Sequence, residues 1–219
     1  MTPQAGRPAE GPGAGRGEAP GRGAGDAVWA DYNAAQAARP VRPLCLDAMA
    51  FAGPGQGRRA LDLGCGAGKE TLALLGDGWR VHAVDSLPDT RDRLLGIAPP
   101  DAEGRLSIEM RDFQEFRTLP DAELIFAGYS LPFIHPDHFE SFWRLMLNAL
   151  QPRGIMAVNL FGDRDSWADV PEWNFHTEAE ARQLFDGLEI LKFKVYDDDG
   201  QSFRGPKHWH IYDVIARKP

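Results

Sequence analysis

One stretch constrains this chain more than any other. In "ALDLGCGAGKETLALL", residues 60–75, a hydrophobic run breaks into alternating glycines and then resumes with apolar residues at helical spacing. A strand entering a glycine-rich turn and then a helix aims backbone N–H groups and a helix N-terminus at a ligand, because glycine has no Cβ to block the approach. Spacing separates the ligands such a turn can hold. A dinucleotide fingerprint needs G-x-G-x-x-G, yet counting from Gly64 and Gly66 puts Lys69 at the third position, and counting from Gly66 and Gly68 puts Thr71 there. A phosphate-cradling loop ends in G-K-[ST], whereas Gly68-Lys69 is followed by Glu70. Neither phosphate pattern is met.

The flanking sequence alternates strand and helix. "RRALDL" (58–63) reads as a strand, 69–75 as a helix and "WRVHAVD" (79–85) as a second strand; 89–96 gives a short helix, "RLSIEM" (105–110) a third strand and "AELIFAG" (122–128) a fourth. A long helix starts at Pro136, whose missing N–H costs nothing at the first helical position, and Phe139, Phe142, Met146 and Ala149 repeat as one buried stripe. "GIMAVNL" (154–160) is the fifth strand. This alternation implies a parallel sheet covered by helices on both faces, with right-handed crossovers. The end of the chain breaks the rhythm: after a capping box at Thr177 and Glu180, "LEILKFKVY" and "HWHIYDVIA" are two strands joined only by turn-rich "DDDGQSFRGPK". They predict a hairpin whose final strand is antiparallel to the rest.

Composition bounds the remainder. A chain of 219 residues suits one sizeable α/β domain. Residues 1–25, rich in Gly, Pro, Ala and Arg with almost nothing to bury, read as a disordered tail; 26–219 reads as the domain, with 26–55 as a helical cap carrying Trp29 and Tyr32. A formal net charge of −8 leaves no basic surface to neutralise phosphates, which argues against a nucleic-acid partner. Cys45 and Cys65, the two cysteines, have no paired metal-ligand spacing, and the N-terminus lacks the order of a signal peptide. No apolar run approaches the roughly 20 residues that span a bilayer. A cytoplasmic, bacterial protein is expected, with no metal and no membrane partner.

The run D-x-G-x-G-x-G from Asp62 to Gly68, with the strand spacing and terminal hairpin over roughly residues 28–219, resembles the class I S-adenosylmethionine-dependent methyltransferases. The resemblance implies a Rossmann-like, doubly wound, seven-stranded, mostly parallel α/β sheet with an antiparallel C-terminal hairpin strand, and S-adenosyl-L-methionine as cofactor. It implies that Gly64, Gly66 and Gly68 let the backbone lie against the methionine and ribose, with Cys65 as a small residue fitting the turn. Asp62 would orient the methionine ammonium through water. Asp85, followed by Ser86, would take both ribose hydroxyls, and Asp112-Phe113 would meet the adenine. Gly128 and Tyr129 would face the sulfonium.

Methyl transfer from a sulfonium is an in-line displacement, so the protein chiefly places a nucleophile and excludes water. "GYSLPF" (128–133) stands where amide-directed methyltransferases carry Asn-Pro-Pro-Tyr, which turns the expectation toward a small-molecule acceptor; a looser likeness is to the tellurite and thiopurine detoxifying enzymes and to natural-product methyltransferases. Residues 29, 129, 167 and 173 are aromatic and can wall an apolar pocket. Tyr129 and His135 are the catalytic candidates, His135 as a general base after the fourth strand. His82 reads as a core residue, and His208 with His210 as structural or surface groups. The alternative to an enzyme is a catalytically silent S-adenosylmethionine-binding partner; a nicotinamide oxidoreductase is disfavoured by the missing third glycine.

Overall fold

The computed structural model describes residues 26–219, so the expected tail at 1–25 lies outside the described residues. In chain order the elements are α1 (Asp26–Gln36), α2 (Pro43–Ala52), β1 (Arg59–Leu63), α3 (Lys69–Gly76), β2 (Arg80–Asp85), α4 (Thr90–Ile97), β3 (Leu106–Met110), β4 (Ala122–Ala127), α5 (Pro136–Ala149), β5 (Leu150–Gly162), β6 (Phe175–His176), α6 (Glu178–Gln183), β7 (Glu189–Ser202) and β8 (Gly205–Arg217). Seven strands lie in the order β3-β2-β1-β4-β5-β8-β7. β1 through β5 pair in parallel, and β8 runs antiparallel to both neighbours. The expected doubly wound sheet with its antiparallel C-terminal strand is therefore present. An eighth strand, the two-residue β6, pairs with the end of β5 and was not foreseen.

Alternation along the central strands explains why both faces are covered. Leu61, Ile125, Met156 and Val158 pack toward α5, while Ala60, Leu124, Ile155 and Ala157 pack toward α2 and α3. Strands buried on both faces read as nearly continuous apolar runs, as β4 and β5 do. α5 presents Phe139, Phe142, Trp143, Met146 and Ala149 to the sheet, the stripe its spacing predicts. Between β3 and β4 the chain forms a 3₁₀ turn at Phe113–Glu115, with no α-helix. β5 begins earlier than expected, at Leu150, with a register shift against β4 and a left-handed φ of 65° at Arg153. Among the described residues no helix is long and apolar enough to cross a membrane.

Candidate active site

The glycine turn at the end of β1 is held from three sides. The N–H groups of Gly64 and Cys65 both donate to the Val84 carbonyl on β2, at 2.8 and 2.9 Å, and the Gly68 N–H returns to the Cys65 carbonyl at 2.8 Å. Ser130 Oγ, from the loop after β4, donates to the Leu63 carbonyl at 2.7 Å. Gly64, Gly66 and Gly68 have φ of 78°, 47° and 77°, so all three require the left-handed region. A Cβ on Gly64 would collide with Ser130, and one on Gly66 would lie 2.9 Å from Asn33 Oδ1 of α1. The glycines thus serve the turn's own packing as well as any ligand.

Over this turn lies a cavity of about 310 Å³ at the carboxyl ends of the parallel strands, where open α/β sheets bind ligands. β1 and its turn contribute Gly64, Cys65, Gly66 and Ala67; β2 contributes Asp85, Ser86 and Leu87; the end of β3 contributes Arg111, Asp112 and Phe113; the end of β4 contributes Gly128, Tyr129 and Ser130. Trp29, Tyr32, Asn33 and Gln36 of α1, with Arg39 and Arg42 after it, form the opposite wall. Asp85 reaches into the turn: Oδ2 accepts the Gly66 N–H at 2.8 Å and Oδ1 accepts the Leu87 N–H at 3.1 Å. Each carboxylate oxygen has a second acceptor direction left for a ligand hydroxyl.

Two further carboxylates flank the turn in opposite electrostatic states. Asp62 is buried behind it and accepts from Thr71 Oγ1 at 2.6 Å. Burial, reinforced by the nearby Glu70 charge, pushes its carboxyl up to about 7. Glu70, in the first turn of α3, lines the cavity; it takes a bidentate grip from Arg39 at 2.6 Å on each oxygen and the Arg42 N–H at 2.9 Å. Burial would raise Glu70, yet the Arg39 guanidinium and the Arg42 N–H together hold it below the ordinary carboxylate range.

Beyond Tyr129 a smaller chamber of about 70 Å³ adjoins the cavity, sharing Trp29, Tyr32, Tyr129 and Phe133 with it. Phe161 of β5, Trp167, Trp209 of β8 and Phe203 at the β7–β8 tip complete its aromatic lining. Tyr129 has a left-handed φ of 57°, a costly conformation for a residue with a side chain. Its N–H donates to Asn159 Oδ1 at 3.2 Å, and Asn159 Nδ2 in turn donates to the buried Asp213 carboxylate, which braces the turn from β5 and β8. Burial lifts the Tyr129 phenol to about 12. Behind the chamber Lys207 is wholly buried; its ammonium pairs with Asp165 and lies 3.4 Å from the Trp167 ring centroid and 3.9 Å from that of Trp209. Burial lowers Lys207 to about 8.

Comparison with known proteins fits this geometry. Residues 61–158, the span from β1 through most of β5, match the family model described as "Methyltransferase domain". The crystal structure of TehB from Haemophilus influenzae superposes with a TM-score of 0.70 at 18% identity, over 87% of this chain and 67% of that one. The 1,6-didemethyltoxoflavin-N1-methyltransferase of Burkholderia thailandensis, crystallised with 1,6-didemethyltoxoflavin and S-adenosylhomocysteine, superposes at 0.61 with 21% identity over 81% and 77%. The chain shares the fold of these methyltransferases. Trans-aconitate 2-methyltransferase of Rhizobium leguminosarum bv. trifolii (strain WSM2304) is 33% identical over 103 residues, which are 47% of this chain and 38% of that protein. The alignment thus spans less than half of the curated relative's length.

Within this methyltransferase fold most of the expected site residues converge. Gly64, Cys65, Gly66, Asp85, Ser86, Asp112, Phe113, Gly128 and Tyr129 all line the cavity. Gly68 does not; it caps α3 under the turn. Asp62 does not either, because its carboxyl points back to Thr71, and the acid that faces the cavity beside it is Glu70. Sequence reading passed over Glu70 because an acid in the first turn of a helix is ordinary. His135 lies outside the cavity as well. The 3₁₀ turn at Leu131–Phe133 brings Phe133 and Ile134 inward, and His135 caps α5, its Nδ1 accepting the Asp137 N–H at 3.2 Å. His208 is half-buried between Asp197 and Asp199, and His210 is buried, accepting the Arg164 N–H; among the described residues no group of three or more His, Cys, Asp or Glu could hold a metal. Of the four aromatic positions expected to wall a pocket, Trp29 and Tyr129 border both cavities, Trp167 the smaller and Trp173 the larger.

Proposed function

We propose that this methyltransferase-fold chain binds S-adenosyl-L-methionine in the larger cavity and transfers its methyl group to a small-molecule acceptor. The observation that carries the reading is Asp85, a half-buried carboxylate tied to the glycine turn by one N–H per oxygen and still able to accept two hydroxyls on its cavity side. Asp112 and Phe113 lie at the next strand end, where they can frame a purine; Phe113 is itself fixed by stacking on Phe142 with centroids 4.6 Å apart. The backbone of Gly64, Cys65 and Gly66 borders the same space, with Ser86 at its rim. The cofactor, when bound, supplies an electrophilic methyl group on a sulfonium. Gly128 and Tyr129 lie where β4 opens toward the second chamber.

The residues present also constrain proton handling. The Tyr129 phenol, held near 12, stays protonated at neutral pH and shapes the site without taking up a proton. Among the described residues the second chamber is lined by no carboxylate and no histidine, and His135 is turned away. An acceptor there must carry a nucleophile that is already competent, losing any proton to solvent. Exclusion of water by the ring-lined walls is the chain's main contribution to the chemical step. A cytoplasmic, bacterial setting without a nucleic-acid partner suits the net charge of −8 and the two unpaired cysteines.

Calorimetric titration with S-adenosylmethionine and, in parallel, NAD tests the binding half of the reading. Micromolar binding of the first and silence from the second is expected; the reverse would overturn it. Formation of S-adenosylhomocysteine across a panel of acceptors, trans-aconitate among them, then separates an enzyme from a silent binder.

A further inference from the structure

Building on the methyl-transfer reading, we propose that the acceptor is a flat aromatic molecule, uncharged or anionic, held where the chamber beyond Tyr129 joins the larger cavity. Of the eleven described residues lining that chamber, eight are aromatic. Its walls meet edge to face, Tyr129 on Trp209 at 80° and Tyr32 on Phe203 at 88°, the arrangement in which a further ring finds complementary faces and edges. The Tyr32–Phe203 contact joins α1 to the tip of the β7–β8 hairpin and roofs the space.

Charge decides what kind of ring fits. Aromatic walls ordinarily attract cations to their faces, but here the chain supplies its own. The Arg42 guanidinium lies 4.4 Å from the Tyr129 centroid, and the buried Lys207 ammonium lies against Trp167 and Trp209. Among the described residues no carboxylate lines the chamber, and neither Arg204 at its hairpin tip nor Arg42, which lies against Tyr129 from the larger cavity, forms an ion pair. A cationic acceptor would therefore meet two cations already against Tyr129, Trp167 and Trp209, and no counter-charge among the described residues that line the chamber. A non-aromatic polycarboxylate would lose hydration over apolar walls, which the few donors present cannot replace. An uncharged or anionic arene keeps its ring against the walls and any negative group beside an arginine.

The test is calorimetric titration of the full chain, loaded with S-adenosylhomocysteine, against four probes: 4-methylphenol, 4-methylcyclohexanol, benzyltrimethylammonium and trans-aconitate. The expected ranking has 4-methylphenol tightest, the saturated alcohol and the cation each weaker by about threefold or more, and no detectable heat from trans-aconitate. Phe203→Ala, at an exposed hairpin tip, should weaken 4-methylphenol about tenfold and leave S-adenosylhomocysteine affinity and Tm unchanged. Equal or tighter binding of the cation, the saturated alcohol or trans-aconitate would overturn the proposal, as would no binding of 4-methylphenol. If S-adenosylhomocysteine itself fails to bind, the methyl-transfer reading falls separately, and the four-probe ranking on the free protein still decides the chemistry of the chamber. Should Phe203→Ala fail to fold, quenching of the wild-type tryptophan fluorescence by 4-methylphenol, with a midpoint at least about threefold below that for the cation, reads the same contact.

Discussion

The two adjoining cavities are built by different means. The larger one is centred on a local unit, β1, its glycine turn, α3 and β2, whose internal contacts join residues about twenty positions apart or fewer, and it is lined by backbone amides, carboxylates and arginines. The smaller one is assembled from α1, the β4 and β5 ends, Trp167 and the hairpin tip, and holds rings with internal cations. A local unit with demanding backbone geometry tolerates little change and suits an invariant ligand. A wall gathered from distant segments can vary one ring at a time, which suits an acceptor particular to this chain.

The largest effect that sharpens this contrast is expected from Gly64→Ala. A left-handed φ and a Cβ driven into Ser130 together cost about 2–5 kcal/mol, read as a fall in denaturant midpoint with loss of S-adenosylhomocysteine binding. A variant as stable as the parent would mean the turn is not the rigid half. Next is Asp85→Ala, which should weaken S-adenosylhomocysteine by tenfold or more, about 1.4 kcal/mol, and also free the Gly66 N–H. Unchanged affinity would show that the ribose is held elsewhere.

A smaller effect concerns the two carboxylates beside the turn. Asp62 titrates near 7 in the folded chain, far above an unfolded carboxylate, so its stabilising contribution is complete at low pH and lost as pH rises through about 7. Glu70, depressed by Arg39, acts in the opposite sense, contributing above the ordinary carboxylate range and losing that contribution as pH falls. Asp62→Asn should flatten the decline of Tm between about pH 4.5 and 7.5, a difference on the order of 1 kcal/mol; parallel curves for variant and parent would refute the assignment. Smallest is His135→Ala, which removes a helix cap for about 0.5–1 kcal/mol and leaves methyl-transfer turnover unchanged. A large drop in turnover would return His135 to the reacting site.

The same contrast explains what could be read from the sequence. The strand–helix alternation, the α5 stripe and the terminal hairpin follow from local periodicity and turn chemistry, which the sequence displays directly, and the residues from Gly64 to Tyr129 around the cavity are those that the family resemblance implies. Asp62 and His135 misled because type and position along the chain do not reveal which way a side chain turns. Thr71 draws Asp62 inward, and the Leu131–Phe133 turn rotates His135 outward. The role of Glu70 depends on Arg39, 31 residues earlier, and the cage around Lys207 joins it to Asp165, 42 residues away. Nothing in either neighbourhood marks those pairings. The hairpin tip escaped for the same reason: "QSFRG" reads as a turn, and only the length of β7 and β8 carries Phe203 over to Tyr32.

The place of β8 in the sheet bears on how the chain acquires its structure. β8 is the last strand in chain order yet lies inside the sheet, hydrogen-bonded on one side to β5 and on the other to β7. Until it arrives, β5 is an unpaired edge of apolar residues and β7 has no partner, so the sheet cannot close progressively from the N-terminal side. β5 meets β8 across 50 to 62 positions whereas β7 and β8 meet locally across their turn, so the hairpin can form first and cover the apolar β5 edge as it docks.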